Sequence, residues 1–135
     1  MIRGGLIFLS LALLATGGQA AECDDAAADQ ATLNQCAAAE MQAAQAELDR
    51  LYLDLEARLL GEAAKLELMH AARDAGAAFR EAECAFAASG VEGGSMQPAI
   101  HAGCMADMLE ARAAQLRTYL DCPEGDLSCP VPWLQ

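Results

Sequence analysis

The sequence predicts an all-α fold: a small disulfide-stapled bundle of about three helices, a helical hairpin plus a third helix, ending in an irregular C-terminal tail. Three observations lead there. Alanine dominates the apolar residues, aromatic residues are only 4% of the chain and β-branched residues are scarce, a composition that favours helix over strand. No proline occurs before Pro98, so a long span lacks the residue that most disrupts a helix interior. Six cysteines lie in 135 residues, and an even count in a short exported chain reads most simply as a disulfide framework.

Export is expected from residues 1–20. They carry Arg3, an apolar run from Leu6 to Ala15, and the small-residue stretch Thr16-Gly17-Gly18-Gln19-Ala20, the pattern of a cleavable signal peptide. The apolar run is about half the ~20 residues that a membrane-spanning helix needs. Lipid attachment at Cys23 is disfavoured by Glu22 just before it. The expected product is a periplasmic or secreted protein with no membrane span, its thiols in an oxidising compartment.

The first helix is expected to start at Thr32 as N-cap, with Gln35 completing a capping box. Met41, Leu48, Leu51 or Tyr52, Leu55 and Leu59 recur at helical spacing and mark one buried face. A helix continuing without a break to Ala88 would extend ~85 Å, too long for one small domain, so the chain turns near Gly61. The second helix then runs from about Ala63 to Ala88, placing Leu66, Met69, Phe79 and Cys84 toward the core, with Gly76 as its weak point. Residues 89–98 form a loop by composition. Pro98 falls in the first turn of a third helix, where its missing N–H costs nothing. That helix reaches about Leu120, with Met105, Leu109, Leu116 and Leu120 in one stripe and Ile100, Cys104, Met108 and Tyr119 beside it. The helical domain spans 21–121, and the tail 122–135 is rich in Cys and Pro.

This layout orders the possible bridges. With the second and third helices antiparallel about Gly93, Cys84 and Cys104 come level. Cys23 folds back onto Cys36 in the first turn of helix one, and Cys122 and Cys129 close a small loop in the tail. The preferred set is therefore Cys23–Cys36, Cys84–Cys104 and Cys122–Cys129. Six cysteines admit many connectivities, and Cys36 also falls near the level of Cys84, so other pairings stay open.

The chain carries 20 acidic and 8 basic residues, a net charge of −12. Removing residues 1–20 deletes Arg3 and no acid, giving −13. Nucleic acid and anionic lipid are poor partners for such a surface; a basic protein is a better one. Enzyme chemistry finds no support. The carboxylates Glu47, Asp49, Asp54 and Glu56 read as a solvated helix face, and no nucleophile motif, phosphate loop or dinucleotide fingerprint is present. His70 and His101 read as surface residues. A metal site is not expected, since there is no Cys-x2-4-Cys pair and no paired histidine. Soft-metal capture by Met96, Met105, Met108 and His101 would need reduced cysteines, and methionine at helical spacing is ordinarily core filling. No cofactor is expected. Arg80 and Arg112 are expected to pair with Glu81, Glu83 or Asp107 and lock helices together.

Several segments resemble the lysozyme inhibitor LprI-like family. Cys23 to Cys36 with Gln30-Ala31-Thr32-Leu33-Asn34-Gln35, then Glu47-Leu48-Asp49-Arg50-Leu51-Tyr52, is similar to the family's N-terminal motif. Ala78-Phe79-Arg80-Glu81-Ala82-Glu83-Cys84, Gly93-Gly94-Ser95-Met96-Gln97-Pro98, Gly103-Cys104 and Glu110-Ala111-Arg112 follow in the family's order. The chain departs from the family where members often carry Ala-Gln-Arg-x-Trp in helix two: Arg73 and Gly76 stand at the matching positions. The Cys122 and Cys129 tail also lies outside the common pattern.

The resemblance implies an exported helical module that binds a protein and, for part of the family, inhibits lysozyme. Animal-type lysozymes are basic, so an acidic binder fits, and a loop presenting hydroxyl or amide groups can occupy a sugar-binding cleft. Ser89, Glu92 and Ser95, in the loop stapled at its base by Cys84–Cys104, are the expected partner contacts. The plainer reading of that loop is a helix connector with Ser95 capping helix three. The alternative function is a general envelope interaction or stress module that leaves lysozyme untouched.

Overall fold

The structure, a computed structural model, describes residue 23 and residues 28–132. The expected leader lies outside the described residues. Three helices follow in order: α1 (Gln30–Arg58), α2 (Ala63–Ala88) and α3 (Gln97–Leu120), with a 3-10 turn at Ser89–Val91. There is no strand among the described residues. The all-α expectation holds, and all three preferred disulfides are formed.

α1 begins one turn earlier than expected. Asp29, not Thr32, is the N-cap, and its carboxylate accepts from the Thr32 amide at 2.8 Å. That bond holds the Asp29 carboxyl below its ordinary value, consistent with Asp outranking Thr at this position. The helix stops at Leu59, and Gly61 adopts a left-handed φ of 90°, which reverses the chain without the clash a Cβ would bring. α2 then runs back over the span predicted for it. α3 has no side-chain cap; Met96 is its N-cap and Pro98 sits in its first turn.

The bundle runs up, down, up. α1 and α3 are parallel, as shown by Asn34 meeting Ser95 at the start of both and Tyr52 meeting Arg112 farther along both. α2 is antiparallel to both, as shown by Cys84–Cys104 and by His70 meeting Glu56. The most extensive packing is between α1 and α3, and α2 lies mainly against α3. The core is a zipper of Leu48, Leu51, Tyr52, Leu55 and Leu59 from α1 against Leu109, Ala113 and Leu116 from α3. Leu109 and Leu116 are completely buried, and each such side chain contributes ~1.5–3 kcal/mol. The tail folds back far enough to bury Val131 in this cluster.

Phe79 departs from expectation, being 59% exposed, while Arg80 is buried. The bridge at Cys84 fixes the rotation of α2 about its axis. Residues 80, 77 and 73 share the face of Cys84 at helical spacing, and residue 79 points well away from it. The predicted arginine pairings do not form either. Arg80 makes no ion pair among the described residues, its Nε has no partner, and its guanidinium lies over Gly76. Arg112 donates to Tyr52 and Gln115 instead.

Candidate functional site

One end of the bundle gathers the first turn of α1, the end of α2, the loop 89–96 and the start of α3. Each part is held by an identifiable interaction. The Cys84–Cys104 bridge, with Cα atoms 5.6 Å apart, closes the base of the loop. Cys23–Cys36 staples the chain before α1 onto that helix. Asn34 donates from Nδ2 to the Ser95 carbonyl at 3.0 Å and ties the loop to α1 across 61 positions of sequence.

Inside the loop, turn succeeds turn. The Ser89 hydroxyl donates to the Phe86 carbonyl at 2.7 Å, and the Gly94 amide donates to the Val91 carbonyl at 2.9 Å. Gly93 has φ 74°, and its amide donates to Gln97 Oε1 at 2.8 Å. A Cβ on Gly94 would come within 3.1 Å of the Val91 carbonyl oxygen, so the tight backbone here depends on glycine.

The three expected contact residues therefore differ in availability. Ser89, Glu92 and Ser95 are all exposed. The Ser89 hydroxyl is spent on the end of α2. Ser95 does not cap α3, whose N-cap is Met96 with no side-chain cap bond. Apolar side chains not expected as partner contacts lie at the same end: Leu33 on α1, with Met96 and Ile100 opening α3, are 41%, 50% and 40% exposed. The signal for them lay in the sequence as apolar residues flanking a glycine-rich loop, but periodicity assigned Ile100 to the core.

Of the eight ion pairs among the described residues, four join different helices. His70 Nε2 lies 3.0 Å from Glu56, and Arg73 approaches the same carboxylate at 3.5 Å, so this histidine joins α2 to α1 rather than standing alone. His101 lies 3.9 Å from Glu81. Glu47 accepts from Arg50 on its own helix and from Arg117 of α3, which together push its carboxyl down to about 2. Of the methionines weighed as soft ligands, Met105 is buried, and the Met108 thioether sits 3.7 Å from the Cys84 sulfur, as core filling. Cys122, Asp126 and Cys129 converge in the tail, but the two sulfurs are bonded to each other and Asp126 accepts from Ser128. At the far end of the bundle, Leu55, Leu59, Met69, Leu116 and Val131 line an apolar cleft of about 310 Å³, with Lys65 and Arg112 its charged lining residues.

Comparison with known proteins places these features in a family. The family description "Lysozyme inhibitor LprI" matches residues 23–116, from the first bridged cysteine to the last core leucine of α3. An uncharacterized protein of Rhizobium meliloti (strain 1021) is 32% identical over 110 residues, covering 73% of this chain and 79% of that one. No solved structure matches significantly. The matched region holds the α1–α3 zipper, the stapled loop and two of the three bridges, and the chain belongs to the LprI lysozyme inhibitor family.

Proposed function

We propose that this protein is an exported, non-enzymatic lysozyme inhibitor that uses the loop end of its bundle to occlude the lysozyme cleft. The observation that carries the reading is the family match over residues 23–116, which includes the whole of the loop. The geometry is suited to the task. A glycine-rich loop held at its base by a disulfide and at its crown by Asn34 has little freedom left to lose on binding. Around it, Leu33, Met96 and Ile100 offer apolar contact area, and Glu92 and Ser95 offer polar groups at the tip. Apolar centre and polar rim is the usual anatomy of a protein interface. The charge of −12 favours encounter with a basic enzyme, over a range of ~8 Å at physiological salt. An export signal in residues 1–20 brings the protein to the compartment where lysozyme attacks the wall.

The test is clearance of a cell-wall suspension by lysozyme, followed by turbidity with and without the purified protein at low and high salt. The expected result is slowed clearance, weaker at high salt, with the Ser89→Ala/Glu92→Ala/Ser95→Ala variant losing most of the effect while keeping its helical circular dichroism. Undiminished clearance at low salt overturns inhibition and favours a general envelope-interaction module. Full inhibition by the triple variant removes the loop from the interface.

A further inference from the structure

α2 buries one face only. Leu66, Met69, Arg73, Arg80, Cys84 and Ala88 point inward. On the outer side Ala75, Phe79, Ala82 and Phe86 are exposed, as are Leu68 and Ala72, which also form the α2 rim of the apolar cleft shared with Leu55, Leu59 and Leu116; Leu68, Phe79 and Phe86 are 72%, 59% and 75% exposed. These six positions alternate in steps of four and three, the spacing of a helix seam that packs against another helix. A second row, Ala64, Ala71, Ala78 and Ala85, runs alongside at intervals of seven and is also exposed. No ionised side chain interrupts the seam from Leu68 to Phe86, although the chain holds 20 acidic residues. Glu67, Asp74 and Glu81 flank it on one side, and the exposed Glu83, one turn from both Phe79 and Phe86, flanks it on the other.

The seam is palindromic. Measured from Ala77, Ala75 and Phe79 lie two residues either side, Ala72 and Ala82 five, and Leu68 and Phe86 nine. A surface with that symmetry complements itself when a second helix is laid against it in the opposite direction, which is the requirement of an isologous two-fold contact. We infer that the outer face of α2 is a self-association surface on which a second copy of this chain packs antiparallel, about a two-fold axis level with Ala77. Phe79 of each copy then lies over Ala75 of the other, large against small. Leu68 meets Phe86 at both ends, and the alanines allow the helices to approach at the lower end of the usual 8–10 Å range.

The area is sufficient for a reversible dimer. Phenylalanine buries ~150–250 Å², and four rings more than half exposed supply roughly 500 Å² across the two-fold axis. Leu68 and the alanines bring the total to the order of 1,000 Å², the lower limit for a specific interface. Two exported copies, each of charge −13 without residues 1–20, repel, so screening strengthens an apolar contact between them. This salt dependence is opposite in sign to that expected for lysozyme binding, which separates the two ideas experimentally. The arrangement would also place the two loops at opposite ends of the α2 pair, about 40 Å apart at 1.5 Å per residue.

Sedimentation of the full exported protein from micromolar to millimolar concentration, at low and high salt, tests this. The expected result is a monomer–dimer equilibrium that tightens with salt. Phe79→Glu should weaken it by tenfold or more and leave the unfolding temperature in place, since this side chain packs on nothing within the monomer core. Ala75→Glu is the second variant if the first misfolds. Register is read from cysteine pairs: Ala72→Cys mixed with Ala82→Cys should cross-link, and Ala72→Cys alone should not. A monomer under all conditions, association unaffected by either charged variant, or preferential self-linking of Ala72→Cys overturns the proposal.

Discussion

Arg112 on α3 donates from Nε to the Tyr52 hydroxyl of α1 at 3.1 Å, and its guanidinium carbon lies 5.9 Å from the centre of the same ring. Tyr52 is buried in the α1–α3 zipper, so one side chain fills the core and fixes the register of two parallel helices. Tyr52→Phe keeps the ring and removes the acceptor. It should cost ~1 kcal/mol in urea unfolding. Arg112→Met should cost a similar amount by removing both the hydrogen bond and the cation over the ring.

The Glu47 carboxyl is held at about 2, against an ordinary 4.5, first by Arg50 and then by Arg117. A depressed folded value means that the carboxylate's contribution is complete above pH 4.5 and is lost as pH falls through about 2. Thermal unfolding of wild type and Glu47→Gln across this window should converge toward the acid end. Equal differences at neutral pH and at pH 2 would show that the Arg117 contact couples nothing to folding.

Cys84–Cys104 closes a loop of 20 positions. Replacing both cysteines with alanine should lower stability by ~3 kcal/mol in the chain-entropy view. Inhibition per folded molecule should also fall, because the base of the loop is then free to spread. Denaturation and turbidity measured on the same preparation separate the two effects.

Gly76 occupies a helix interior with ordinary backbone angles, and a Cβ there would sit 3.5 Å from Arg80 Nη1, an unstrained contact. Gly76→Ala should therefore raise stability by ~0.5–1 kcal/mol, read as a shift in the urea midpoint with no change in slope. Larger side chains compete with the Arg80 guanidinium for that space, which is why the bulky residue common in the family would require Arg80 to move.

Asn34→Ala cuts the tether to the Ser95 carbonyl. Both groups are exposed enough for water to replace the bond, so unfolding should change little. Binding should weaken more than stability, because the loop must then be ordered at the partner's surface. Titration of lysozyme inhibition beside a thermal melt checks the difference.

Much of this molecule was legible in its amino-acid order. Alanine content, the absence of proline before Pro98 and the spacing of Leu48, Leu55 and Leu59 are local properties, and they determined three helices, the turn at Gly61 and the bridge that brings Cys84 level with Cys104. The bounds of α2 and the reach of α3 followed from the same signals. The tertiary structure decided what no single helix contains. It paired α1 with α3 in parallel, turned Arg80 inward and Phe79 outward, and set Arg112 on Tyr52 and Glu56 on His70. It also spent the Ser89 hydroxyl on its own helix end and brought Asn34 to the loop. The physical reason is rotation: periodicity tells which residues share a face, but on an alanine-rich helix several faces are nearly equal in hydrophobicity. Only the covalent bridge at Cys84 and the competition among neighbouring helices select the one that is buried.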